Sequence, residues 1–124
     1  MTRVMVVEDQ SSTRDLLKTL LELEGFLVSA CNEQDEQKIV QLILDQNPEI
    51  VIMDVHMRKI SGIDVLSTIK GMVTASPRFL MISGMPLWAE CKKAGADDFL
   101  IKPFMPDELI DKVNRLVRKQ DDVA

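Results

Sequence analysis

The chain of 124 residues has no tyrosine, one tryptophan (Trp88), one histidine (His56) and two cysteines (Cys31 and Cys91). One histidine and two distant cysteines give no Cys/His ligand set, which argues against zinc and other soft metals. With no metal-ligand spacing and only one pair available, Cys31 and Cys91 are expected to be reduced core thiols in a cytoplasmic protein. No apolar run approaches the roughly 20 residues that a membrane helix needs. Met1 is followed at once by Thr2-Arg3 and a strand-like run, which leaves no room for a signal peptide. Positive charge is also scarce, since 15 Lys and Arg face 20 Asp and Glu for a formal charge of -5. Nucleic-acid phosphates need a basic stripe, and none is present. The expectation is a soluble protein that binds neither membrane nor nucleic acid, with one domain over residues 1–120 and a frayed polar tail or linker start over 121–124.

What the chain does have is a pair of apolar runs that stop abruptly in acids. Val4-Met5-Val6-Val7 ends at Glu8-Asp9, and Ile50-Val51-Ile52-Met53 ends at Asp54. Short, continuous, β-branched runs of this kind suit parallel strands buried on both faces. Further strands are predicted at Phe26–Cys31, Arg78–Ile82 (stopping at Ser83-Gly84) and Phe99–Ile101. Helical spacing fills the intervals. Ser11-Ser12-Thr13 offers N-caps to a helix carrying Leu16, Leu17, Leu20, Leu21 and Leu23 and stopped by Gly25. Ile39 to Leu44 marks a second helix closed at Asn47-Pro48, and Gly62 precedes a third. Pro86 is placed to open a short fourth helix, and Pro106-Asp107 starts the last. Five βα units with short connections predict an α/β fold: a doubly wound, flavodoxin-like three-layer sandwich with parallel strand order 2-1-3-4-5. In that order the switch point falls between the first and third strands, the two that end in acids.

Three carboxylates at that point cannot all stay ionised unaided, because two unit charges about 4 Å apart repel by roughly 4 kcal/mol at an effective dielectric near 20. They call for a cation, and a few carboxylates with backbone carbonyls and water describe magnesium, with manganese able to substitute. Ser83 and Lys102, at the ends of the fourth and fifth strands, add a hydroxyl and an ammonium suited to a tetrahedral oxyanion. Each piece alone has a plainer reading. An acidic pair after a strand is often a solvated loop or helix cap, Asp54 can cap the turn after it, Ser83 can be a turn residue and Lys102 a surface lysine. Four strand ends on one sheet edge, each with an acid, hydroxyl or amine, make the combined reading the stronger one.

The segments VMVVEDQSSTRDLL, PEIVIMDVHM followed by Gly62, and AGADDFLIKPF resemble the receiver domain of two-component response regulators over essentially the whole chain. The resemblance implies that Asp54 is the phosphoacceptor and that Glu8, Asp9, Asp54 and the backbone carbonyl of His56 hold Mg2+. It implies that Ser83 is the switch hydroxyl, Phe99 the switch aromatic and Lys102 the phosphate-contacting lysine, with a cis Lys102-Pro103 bond. A histidine kinase or phosphotransfer protein would be the donor and a downstream effector or fused output domain the recipient, with homodimerisation on phosphorylation as a further expectation.

Several positions depart from the family pattern. Arg58 stands where proline is usual, which restores a backbone N–H and adds a cation beside the site. His56 and Met85 occupy positions that in the family tune acyl-phosphate lifetime, and their bulk implies slow dephosphorylation. The stretch from Ser83 to Gly95 is short by roughly one helical turn. Its Trp88 is read either as filler with Leu87 or, with Phe99 and Phe104, as part of an output surface. Beside the phosphorylated switch, two alternatives stay open. One is a module that signals by constitutive protein contacts. The other is a magnesium-dependent phosphohydrolase, which normally carries an aspartate where His56 stands. On the first two readings the chain turns over no external substrate.

Overall fold

The structure, a computed structural model, describes the backbone of residues 1–122 and the side chains of residues 1–118. Strands β1 (Arg3–Val7), β2 (Leu27–Cys31), β3 (Ile50–Asp54), β4 (Arg78–Ser83) and β5 (Asp98–Ile101) form one parallel sheet in the order β2-β1-β3-β4-β5. Between and after them run α1 (Ser11–Leu23), α2 (Glu36–Gln46), α3 (Gly62–Met72), α4 (Trp88–Ala94) and α5 (Pro106–Asp122). Both the doubly wound fold and the strand order are those predicted.

Side-chain alternation along the strands divides the core in two. Met5, Val7, Val51, Met53, Phe79 and Met81 point to one face and pack with buried residues of α2, α3 and α4. Val4, Val6, Ile50, Ile52, Leu80 and Ile82 point to the other and pack with Leu17 and Leu21 of α1 and Leu109, Val113 and Leu116 of α5. Burial on both faces explains why the central strands are apolar at consecutive positions. Cys31 and Cys91 are buried free thiols, one reason that neither needs a partner.

Local chemistry sets the helix ends, in places differently from the sequence expectation. The α1 N-cap is Gln10, so Ser11 is already helical, and no side chain caps this end. Leu16 and Leu23 face solvent while Leu17 and Leu21 are buried, because five leucines span more than the one stripe that meets the sheet. Asp35 caps α2 by accepting the Lys38 N–H at 3.1 Å, and Asn47 closes it in the left-handed region at φ 46°. Pro86 does not open α4, which begins at Trp88. The Leu87 N–H instead donates to the Met85 carbonyl at 2.8 Å, a three-residue turn whose central φ the proline ring supplies. Strands β2 and β5 differ from expectation by one residue at the start, and β4 takes in Ser83. Helix α5 continues to Asp122, into the stretch expected to fray, and residues 123–124 lie outside the described residues.

Gly62 fixes the position of α3 against the end of β3. A Cβ at this residue would lie 2.2 Å from the Asp54 carbonyl oxygen, a contact with backbone that no rotamer relieves. Substitution Gly62→Ala is expected to destabilise the fold by about 3 kcal/mol, measured by urea unfolding. A loss below about 1 kcal/mol would mean that the helix can retreat freely from Asp54.

Candidate functional site

The carboxyl edge of the sheet brings together the ends of four strands. Glu8 and Asp9 follow β1, Asp54 ends β3, Ser83 ends β4 and Lys102 follows β5. Register fixes their neighbours, with Asp54 beside Ile82 and Ser83 beside Ile101. Because the strands are parallel, all of these groups emerge on one side.

Lys102 is the centre of the cluster. Its Nζ donates to Asp54 Oδ2 at 2.6 Å and lies 3.6 Å from Glu8 Oε1. Glu8 is fully buried (0% exposed), Asp54 nearly so (5%), and among the described residues no hydrogen bond reaches either Glu8 carboxylate oxygen. Burial, followed by the neighbouring Asp54 carboxylate with which a protonated Glu8 can share its proton, pushes Glu8 up to about 8. Burial alone would lower the Lys102 ammonium, but its hydrogen bond to Asp54 and the charges of Asp54 and Glu8 outweigh this and hold it above its ordinary value. The second Asp54 oxygen, Oδ1, accepts the His56 N–H at 3.0 Å.

Asp9 lies at the partly exposed rim, and its Oδ2 accepts the backbone N–H of Arg58 at 2.6 Å. An open cleft of about 750 Å³ borders this rim, lined by Asp9 together with Arg14, Arg58 and Lys59. Among the described residues, no three carboxylate, imidazole or thiolate groups are drawn into a ready ion cage. Lys102 already pairs with both inner carboxylates, and the Arg58 N–H engages the third at the rim. The donor set nevertheless fits a hard divalent cation. Among the described residues the two buried Glu8 oxygens lack hydrogen-bond partners, the donors are all oxygen, and Mg2+ keeps several waters and needs few protein ligands. The His56 carbonyl accepts no hydrogen bond among the described residues, which leaves it available, while its imidazole is exposed.

The remaining sequence-selected residues have clear positions. Ser83 is fully buried, and its Oγ accepts the Met85 N–H at 3.0 Å. The Ser83 carbonyl accepts the Lys102 N–H at 2.8 Å, and the Lys102-Pro103 bond is cis. Phe99 is partly buried against the α2–α4 side of the core and stacks on Trp88, with ring centroids 6.3 Å apart. Trp88 is 37% exposed with Lys92 Nζ 6.0 Å from its ring, whereas Leu87 packs inward. Phe104 packs against the opposite, α1–α5 side of the core. Met85 and Arg58 are exposed.

Two features escaped the sequence reading. Arg14 Nη1 donates to the Glu8 carbonyl at 2.9 Å, bracing the turn from β1 into α1. Position in the first helical turn is a weak signal for such a contact. The Asp9 partner of the Arg58 N–H was also hidden, because a backbone donor has no signature beyond the absence of proline.

Residues 4–114 match the family model described as response regulator receiver domain. The chain is 33% identical to the chemotaxis protein CheY of Bacillus subtilis, over 91% of this chain and 95% of that protein. It is 30% identical to the cell cycle transcriptional regulator CtrA of Caulobacter vibrioides over 94% of its own length, but spans only 51% of that longer protein. Among solved structures, the response regulator TrrA of Thermotoga maritima in complex with Mg(2+)-BeF superposes with a TM-score of 0.83. The identity to TrrA is 28%, covering 94% of this chain and 99% of that one. With the strand-end cluster and this breadth of similarity together, the chain belongs to the response regulator receiver domain family, the phosphoacceptor signalling modules of two-component systems.

Proposed function

We propose that Asp54 accepts a phosphoryl group and that the resulting acyl phosphate switches the surface formed by α4, β5 and α5. The observation that carries this reading is the Lys102 ammonium 2.6 Å from Asp54 Oδ2, beside a Glu8 carboxylate that no hydrogen bond satisfies. An acid at a strand end, nearly buried yet held beside a fixed cation, suits a nucleophile whose product carries more negative charge.

In the transfer, an Asp54 oxygen attacks phosphorus in the phosphohistidine of a kinase or phosphotransfer protein, or in a small phosphodonor. The new P–O bond forms as the P–N bond of phosphohistidine breaks, and that electron pair leaves with the imidazole nitrogen. Lys102 follows the charge from the carboxylate to the phosphoryl oxygens, and the His56 N–H keeps the carboxylate oriented. Glu8, Asp9, Asp54 and the His56 carbonyl would hold Mg2+, which supplies further neutralisation of those oxygens. Manganese has the same preference for oxygen donors and would substitute.

The Ser83 hydroxyl uses an acceptor lone pair on the Met85 N–H, so its own proton is free to donate to a phosphoryl oxygen. Drawing Ser83 toward Asp54 opens space on the side where Phe99 packs, and Trp88 is stacked on Phe99. A shift of the switch aromatic therefore reaches the surface through one ring contact. The recipient would be a separate effector, a fused output domain or a second copy of the chain. CtrA, a transcriptional regulator in which the matched region is about half the protein, supports the fused arrangement as one option.

Incubation with Mg2+ and a small acyl or amido phosphate is expected to add the mass of one phosphoryl group, and Asp54→Asn to abolish the adduct. No adduct in the parent protein, or an equal adduct in the variant, would overturn the assignment.

Glu8 gives a pH dependence with a definite sign. Between its ordinary value of 4.5 and about 8, the folded protein holds a proton that the unfolded chain has released. Metal-free stability therefore falls as pH rises through that window. An incoming cation must displace the same proton. Apparent Mg2+ affinity is expected to climb by up to about tenfold per pH unit below about 8 and then level off. Calorimetric titrations across the range test this, and a flat profile would rule out Glu8 as the competing proton site.

The sole indole reports on the output side. Trp88 fluorescence is expected to change on addition of Mg2+ and beryllofluoride, through its stack on Phe99. Binding with an unchanged spectrum would separate Phe99 from the switch.

A further inference from the structure

The loop from Val55 to Ser61 has four consecutive N–H groups with assigned acceptors. Val55 donates to the Ile82 carbonyl at 2.8 Å, joining the loop to β4, and Met57 donates to Ile60 at 3.1 Å within the loop. The other two go to carboxylates, His56 to Asp54 Oδ1 at 3.0 Å and Arg58 to Asp9 Oδ2 at 2.6 Å. The Arg58 bond crosses 49 positions of sequence and joins this loop to the turn after β1.

We propose that the backbone N–H of Arg58 is a positioning tether for Asp9, holding this outer carboxylate over the phosphoacceptor loop with Oδ1 left for the cation. The inference rests on the phosphoacceptor reading for its purpose, and on the hydrogen bond itself for its existence. Three observations support it. Asp9 is at the rim and partly exposed, so without a partner its side chain would sample several rotamers. The N–H to Asp9 Oδ2 contact is short, at 2.6 Å, and a carboxylate has about four acceptor positions, so one such bond does not exhaust it. The donor exists because residue 58 is not proline, whose ring nitrogen carries no hydrogen. The Arg58 side chain is exposed and contributes to the cleft wall, so the main chain and the guanidinium have separable roles.

Outer-sphere partners of metal ligands commonly govern affinity by about ten- to a hundredfold. Arg58→Ala keeps the N–H and removes the guanidinium, whereas Arg58→Pro removes both. Titration with MgCl2, read by calorimetry and by Trp88 fluorescence, is expected to leave Arg58→Ala within about twofold of the parent and to weaken Arg58→Pro by about tenfold. Equal affinity in Arg58→Pro and parent, or equal loss in both variants, overturns the tether.

A second measurement needs no proline variant. In the metal-free protein, the Arg58 amide is expected to exchange with solvent at least about tenfold faster, and its proton resonance to move upfield, in Asp9→Ala. An amide indifferent to Asp9→Ala also overturns the proposal. Failure of the parent to become phosphorylated would count against the phosphoacceptor reading alone, since the amide and the titrations judge the tether without it.

Discussion

Two carboxylates with almost no access to water share one ammonium at the sheet edge, and most of the surrounding geometry answers that electrostatic problem. Lys102 reaches both Asp54 and Glu8, but it bonds closely only to the first, and among the described residues no hydrogen bond satisfies the Glu8 oxygens. An isolated buried carboxylate either takes a proton or recruits positive charge. A proton on Glu8 or, on the proposed reading, a bound cation would each meet that deficit. The apolar strands on either side make the deficit acute by excluding water, while Arg14 and Gly62 fix the backbone so that the acids cannot drift apart.

Much of this was legible in the residues because it depends on periodicities and on strand ends. Consecutive apolar positions in Val4–Val7 and Ile50–Met53 mark strands covered on both faces, and parallel topology then places Glu8, Asp9, Asp54, Ser83 and Lys102 on one edge. The less legible parts depend on single backbone groups. Pro86 reads as a helix opener because proline at a first helical position costs little, but here the same fixed φ serves a tight turn and α4 starts later. Ser11 reads as a cap, yet the chain enters the helix one residue earlier. The leucine repeat in α1 is wider than the stripe that the sheet can cover, which leaves Leu16 and Leu23 in solvent. The partner of the Arg58 N–H lies 49 residues away, beyond the reach of local pattern.

The two sides of the sheet differ in what they do for the site. On the α1–α5 side, long helices cover β1, β3 and β4 with a continuous aliphatic layer that includes Leu17, Leu21, Leu109 and Val113. On the opposite side the layer ends in α4, and Phe99 and Leu87 complete it only as partly buried residues. The acids stand at the strand ends, and the thinner half carries the aromatic contact between Phe99 and Trp88.

Helix α4 comprises seven residues, two turns with a single fully buried side chain, Cys91, and a left-handed glycine at its end. A helix of that length has almost no intrinsic stability in water and persists through the contacts that it makes. Its opening free energy therefore sits well below that of the whole domain, as for any segment with few buried apolar contacts. On the proposed reading, a redistribution of packing under Phe99 would act on a helix held by few contacts, and the signal at this surface would be local order as much as shape.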